Sequence, residues 1–315
     1  MNVAHFPFFH YIFAADKNLK NDVMKRLIFC ILVATAALSS WATGQRGDVI
    51  FIDGERWNLL GGPIQADSAL SRHLREVLPE DRGWSSDNWK GYIAYWSIRN
   101  ERLCLDSIQI SIYNSETRKE NCQCVPDADM RNVFHDYYNN EDIVATWYTG
   151  RVRVGRGNRV RYEHMGFDRN VEHEQIFTLK EGIVTDCVTY HNEIAVDGFS
   201  FRDLNSPRRE KEFYEKMHFI DENYPELDPD KVGKDQIKVI FSVSDIQVDT
   251  LGNLVDCKVK VPRIVGLDSD EELNDRIAQD MKAVLMSIRP WKLLKIYGEY
   301  TPDSKSCSFA YIIKK

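Results

Sequence analysis

The chain has 315 residues, 43% hydrophobic and 28% charged, with 17 Gly and 10 Pro. That composition excludes disordered, collagen-like and low-complexity proteins, and the length supports about two cores. A formal charge of −7 and a pI near 5.7 exclude a broad nucleic-acid surface, so no nucleic-acid partner is expected.

The first segment to set aside is N-terminal. Met24-Lys25-Arg26 precedes an apolar run from Leu27 to Leu38. A short basic region before such a run is the pattern of an export signal, and the run is too short to span a bilayer. Small residues at Ser40 and Ala42 place cleavage after Ala42, giving a signal peptide over 24–42. Residues 1–23 are aromatic and do not suit the region ahead of a signal; Met24 reads as the start. Removing those 42 residues from 315 leaves 273. It takes four Lys/Arg and two Asp/Glu with it, so the formal charge moves from −7 to −9. It also takes Cys30, leaving six of the seven cysteines in an exported chain, where disulfides can form. The expected location is periplasmic or extracellular, with no membrane span left after cleavage.

Residues 43–204 read as one β-rich α+β domain of hairpins. Asp48–Ile52 and Arg56–Leu60 flank Asp53-Gly54, a strong hairpin signal. Residues 67–78 suit an amphipathic helix capped by Asp67 and stopped by Pro79. Gly91–Ile98 and Leu103–Tyr113 read as paired strands. In the second, Leu103 and Leu105 share one parity while Ile108, Ile110 and Ile112 take the other. That phase switch predicts a β-bulge near Asp106, or burial on both faces. Polar residues 114–125, with Cys122-Gln123-Cys124, read as a loop, and Asp127–Tyr138 as a helix. Thr146–Val154, Arg159–His164, Glu174–Leu179 and Ile183–His191 read as further strands.

Residues 205–222 read as a charged helical connector, opened by Arg208-Arg209-Glu210 and closed by Tyr224-Pro225 and Asp228-Pro229. Beyond it, Ile237, Val239, Phe241 and Val243 alternate on a strand. A turn at Asp249–Asn253 leads to a return strand with Val255, Cys257, Val259 and Val261 in phase. Ser269-x-x-Glu272 is a capping box, and Leu273, Ile277, Met281, Val284, Leu285 and Ile288 recur at helical spacing. Cys307, Phe309, Tyr311 and Ile313 alternate on a last strand. The order predicts a small β-β-α-β two-layer sandwich over 223–315.

That segment resembles the C-terminal domain of TonB proteins. The likeness is carried by Tyr224-Pro225, the Val239–Val243 strand, the Leu251-Gly252-Asn253 turn, the Val255–Val261 strand, the helix and Pro290-Trp291. The resemblance implies a module that offers a sheet edge to a partner strand. Energy-transducing members keep an uncleaved anchor and a Pro-rich spacer. Here the apolar segment reads as cleavable and only 10 Pro are scattered along the chain, so energy transduction is not expected to carry over. The first domain resembles a group of uncharacterised bacterial envelope proteins. Its likeness lies in Trp89-x-Gly91-Tyr92-Ile93-Ala94, Leu103-x-Leu105-x-x-Ile108, Trp147-Tyr148-x-Gly150 and Tyr162-x-His164-Met165-Gly166, and it implies no activity.

The richest polar cluster is Glu163, His164, Glu172, His173, Glu174 and His191, whose imidazoles and carboxylates are zinc-ligand types. His164, His173 and His191 are the metal candidates, but His164 and His173 lack helical i, i+4 spacing, and a solvated face is the simpler reading. No cofactor is expected. Cys122-x-Cys124 is too short for a C-x-x-C redox pair. Cys257 and Cys307 are either bridged, if their strands adjoin, or free and buried. The glycines at 150, 155 and 157 lie among Arg151, Arg153, Arg156, Arg159 and Arg161; hairpin-like alternation excludes a phosphate loop and favours a solvent-facing strand side. Tyr92 and Trp96 read as core. Trp84, Trp89 and Tyr95, with Phe309 and Tyr311 on the last strand, are the candidate partner contacts. No nucleophile elbow or catalytic order is present. The expected function is a non-catalytic, exported protein-binding protein with an envelope protein as partner. The alternatives are an exported metal-dependent hydrolase using the histidines and an immunity-like inhibitor using Trp84 and Trp89.

Overall fold

In a computed structural model of the protein, residues 44–114, 117, 119–205, 211–268 and 271–315 are described. The extension 1–23, the export segment 24–42, the Arg208–Glu210 start of the connector and the Ser269 cap lie outside the described residues. The architecture is mixed α+β.

The chain enters a large sheet with β1 (Asp48–Ile52) and β2 (Glu55–Leu59). Ile52 faces Glu55, so Asp53 and Gly54 alone make the turn, with φ of 52° and 79°. Two successive positive φ angles are what a type I′ turn demands, which is why Asp-Gly stands there. α1 (Ser68–Val77) starts where the Asp67 carboxylate accepts from the Ala69 and Leu70 amides, and it buries Leu70 and Leu74. β3 (Ile93–Arg99) then pairs in parallel with β1 and antiparallel with β4 (Arg102–Asn114). Tyr95 faces Ser107 but Trp96 faces Leu105, so Asp106 is the extra residue of a bulge. The bulge lets Leu103, Leu105, Ile108 and Ile110 enter one core despite opposite parity.

Two expectations are corrected in this unit. Residues 114–125 are not a loop throughout: Lys119–Cys124 is β5, paired along β4 from Gln109 to Asn114. Its side chains are polar because the strand is largely exposed, so hydrophobic alternation could not reveal it. After α2 (Asp127–Phe134), β6 (Tyr138–Asn139) and β7 (Asp142–Val144), the two strands expected over 146–164 are one bent strand, β8 (Gly150–Tyr162). Its register against β9 (Arg169–Lys180) slips between Arg156 and Arg159. Gly157 sits at that slip with φ of 90°, and a Cβ there would stand 2.6 Å from Glu172 Oε2. β10 (Ile183–His191) completes the order β10-β9-β8-β2-β1-β3-β4-β7-β6, with β5 beside β4. The sheet curls until β10 meets β4: Ile183 faces Arg102, and the Leu103 and Val184 amides donate to Gly182 and Glu101 at 2.8 Å.

The second core includes Phe201 and Leu204, and it takes Phe213, Met217 and Ile220 from the charged segment that follows. That segment holds two short helices, α3 (Lys211–Lys216) and α4 (Phe219–Asn223). A three-stranded antiparallel sheet runs in the order β13 (Leu254–Val265), β12 (Gln236–Val248), β16 (Cys307–Lys314). α5 (Glu271–Ser287) packs Leu273, Ile277, Met281 and Leu285 into its core. The return strand departs from simple alternation. Val248 faces Leu254 and Gln247 faces Asp256, so Leu254 turns in and Val255 is 55% exposed. A second small sheet, absent from the sequence expectation, joins β11 (Glu193–Val196), β14 (Leu293–Ile296) and β15 (Glu299–Pro302) in that order. Trp291 is buried at its start, stacked on Phe201 with centroids 3.9 Å apart. Among the described residues no helix is long and apolar enough to cross a membrane.

Candidate functional site

A cleft of 890 Å³ lies in the second unit, beside β16. One wall is Ala310–Lys314 of β16 with Lys238 of β12; the other carries Tyr214 from α3, His218 and Asp221 around the start of α4, and residues from Tyr224 to Lys231. The local fold follows from burial: Phe213, Met217 and Ile220 face the core, so their neighbours Tyr214, His218 and Asp221 face the cleft. Among the described residues β16 pairs with β12 and with no other strand, so its second edge at Tyr311–Lys314 looks into this space.

A small polar cluster lies on the cleft wall. The Tyr311 hydroxyl donates to Asp221 Oδ2 and lies 3.0 Å from His218 Nδ1, itself 3.1 Å from Asp221. Burial first, and the Asp221 carboxylate second, push the Tyr311 phenol far above its ordinary value, so it acts as a donor. Tyr224 behaves alike: burial raises its phenol, and its hydroxyl donates to Asp280 at 2.8 Å. Tyr214 stacks edge-on with His218, centroids 5.5 Å apart, and is 41% exposed. The cluster presents aromatic faces and hydrogen-bonding groups, with no alcohol or thiol nucleophile among the residues lining the cleft.

The sequence candidates divide. Trp84 and Trp89 are 76% and 60% exposed. They flank a turn in which Ser85 and Asn88 bridge, and Gln45 ties that turn down by donating to Ser86 O at 2.7 Å. Tyr95 is half-buried, its hydroxyl donating to Gln109 at 2.8 Å. Phe309 and Tyr311 are corrected as partner contacts: each is 2% exposed, because the in-phase face of β16 is the core face, stacked against Phe241 and α3. Only the Tyr311 hydroxyl reaches the cleft wall. The residue missed by the sequence is Tyr214, hidden because its helix read as a solvated connector.

Of the three candidate histidines, two come together. His173 and His191 face each other across β9 and β10, rings 5.1 Å apart, while His164 stands 3.0 Å from the Tyr162 hydroxyl. Among the described residues no group of three His, Cys, Asp or Glu is placed to hold a metal ion. Glu172 instead accepts from the Asn158 backbone and side chain, bonds that hold its carboxyl below the ordinary range. Glu174 is fully buried and accepts from Val171 N and Tyr297. Four arginines of the stripe meet protein partners: Arg153 reaches the Tyr297 hydroxyl at 2.9 Å, Arg156 reaches Glu55, Arg161 reaches Asp168 at 2.6 Å, and Arg159 lies over Tyr162, while Arg151 is exposed. Cys257 and Cys307 are free thiols on strands separated by β12, roughly two strand spacings apart. Burial, then Asp303, pushes Cys307 up to about 12, so it is unreactive. Comparison of the chain with family models, curated proteins and solved structures finds no match.

Proposed function

We propose that this is an exported, non-catalytic protein-binding protein that takes an extended segment of an envelope partner along the outer edge of β16. The observation that carries the reading is the 890 Å³ cleft beside Tyr311–Lys314, the end of the strand that edges the sheet. A strand added there gains main-chain hydrogen bonds, and side-chain pockets beside it set specificity. Tyr214 and His218 supply the aromatic rim such pockets use. The basic and apolar segment over 24–42, with the TonB-like order of strands and helix, supports export and this binding mode without energy transduction.

The test is selection of random peptides on the whole protein, followed by hydrogen exchange of the complex. Bound peptides are expected to protect the amides of 311–314, and Tyr214→Ala with His218→Ala to weaken binding about tenfold or more, as for rim aromatics of hot spots. Protection confined to the other unit would sink the reading.

A second reading rests on the two exposed indoles. Trp84 and Trp89 on a pinned turn are rigid anchors for a protein partner, as in an inhibitor that plugs another protein's site. Native mass spectrometry against products of neighbouring genes should show a complex that Trp84→Ala with Trp89→Ala abolishes. A complex indifferent to both changes counts against it.

A further inference from the structure

The outer face of the β13-β12-β16 sheet adjoins the cleft, whose lining includes its Lys238, Ala310, Ile312 and Lys314, and continues over β13 beyond that lining. Residues directly opposite one another across antiparallel strands share a face, so the register defines this one row by row. Lys238 stands between Val265 and Ile312, Ile240 between Arg263 and Ala310, and Ser242 between Lys260 and Ser308. Ser244 opposite Lys258 extends the face at one end, and Gln236 opposite Lys314 at the other. From Gln236 to Ser244 the face runs about 27 Å at roughly 3.4 Å per residue.

Those rows carry five cations, Lys238, Lys258, Lys260, Arg263 and Lys314, and no carboxylate. Among the described residues none of the five is held in an ion pair. The nearby lysines that are paired, Lys282 and Lys315, reach Asp256 and Asp230 instead. A chain of net charge −7 has thus gathered unneutralised positive charge on one sheet face. Between the cations lie aliphatic side chains, Val265 at 41% and Ile312 at 38% exposure, with Ile240 half-buried. No aromatic ring stands in any row, so the face lacks the stacking platform that single-stranded nucleic acids use.

We propose that this face docks on an anionic lipid bilayer. The five cations meet lipid phosphates, and the lysine stems and the three aliphatic side chains settle at the headgroup level. Each Lys or Arg near such a surface multiplies partition by about five, and the gain fades as salt shortens the screening length. This goes beyond peptide capture at the β16 edge; the two surfaces share Lys238, Ile312 and Lys314, whereas Lys258, Lys260 and Arg263 on β13 lie outside the cleft lining and test the bilayer face alone.

The probe is unilamellar vesicles of phosphatidylcholine, alone or mixed with phosphatidylglycerol, sedimented with the whole protein. Partition into the anionic vesicles is expected at low salt, with little into the neutral ones. Lys258→Gln with Lys260→Gln, both exposed positions, should lower that partition about 25-fold, two factors of five. This variant keeps the apolar N-terminal segment, so any binding through that segment cancels in the comparison. Arg263→Gln alone should lower it about fivefold, and Tyr214→Ala on the cleft rim should leave it unchanged. Equal partition of wild type and the double variant would overturn the proposal. Binding to heparin or single-stranded DNA without binding to phosphatidylglycerol vesicles would overturn it in favour of a soluble polyanion.

Discussion

At the scale of single residues, the buried polar groups decide most. Asp48, 1% exposed at the start of β1, accepts from the Ala94 amide at 3.0 Å and the Trp96 indole at 3.2 Å and pairs with Lys90. It thereby fixes the parallel contact of β1 with β3. Asp303 does the same in the second unit, accepting from Ser200 Oγ and from Phe201 N at 3.2 Å. Burial raises the Asp303 carboxyl above its ordinary range, against those bonds and Arg202. The folded chain therefore holds that proton more tightly than the unfolded chain. Its contribution to stability is fully present below the ordinary carboxylate range, near pH 4, and declines as pH rises through the folded value. Asp303→Asn removes the titration while keeping the shape. Urea midpoints should show the advantage of wild type over the variant shrinking from about pH 4 to pH 7. An advantage that grows with pH contradicts the assignment.

At the scale of elements, the legible parts of the sequence were those where one local cause dominates. Asp53-Gly54 dictates its turn, Asp67 starts α1, and the parity change in β4 marks the bulge at Asp106. The helix over 271–287 follows from Leu273, Ile277, Met281 and Leu285 alone. The illegible parts depend on partners distant in sequence. β5 is polar and exists because β4 offers a long edge. β11 and β14, four residues each, form only by meeting across about 100 positions of chain. At the candidate site the exposed indoles were readable from crowding of aromatics over 84–96. Tyr214 was not, because nothing in a charged segment says which face a six-residue helix buries. Phe309 and Tyr311 misled for the reason that made their strand legible: apolar alternation marks the core face.

At the scale of the molecule, the two cores are joined by polar contacts that centre on Tyr297 and Arg202. Tyr297, in the turn between β14 and β15, reaches back between β8 and β9. Its hydroxyl donates to Glu174 at 2.7 Å and accepts from Arg153 and Asn170 at 2.9 Å. Its amide donates to Asn192, whose own side chain donates to Val171 O. Arg202 adds a second tie to Glu163 and Tyr162 O. Tyr297→Phe keeps the ring but strips one partner each from fully buried Glu174 and Asn170 and from half-buried Arg153. The expected loss is about 1–3 kcal/mol. It should appear locally: by hydrogen exchange the amides of Glu193–Val196 and of β14 open faster, while β12 and β4, each deep in its own core, keep their protection. Faster exchange throughout β12 instead would mean that the second core depends on the junction to fold at all.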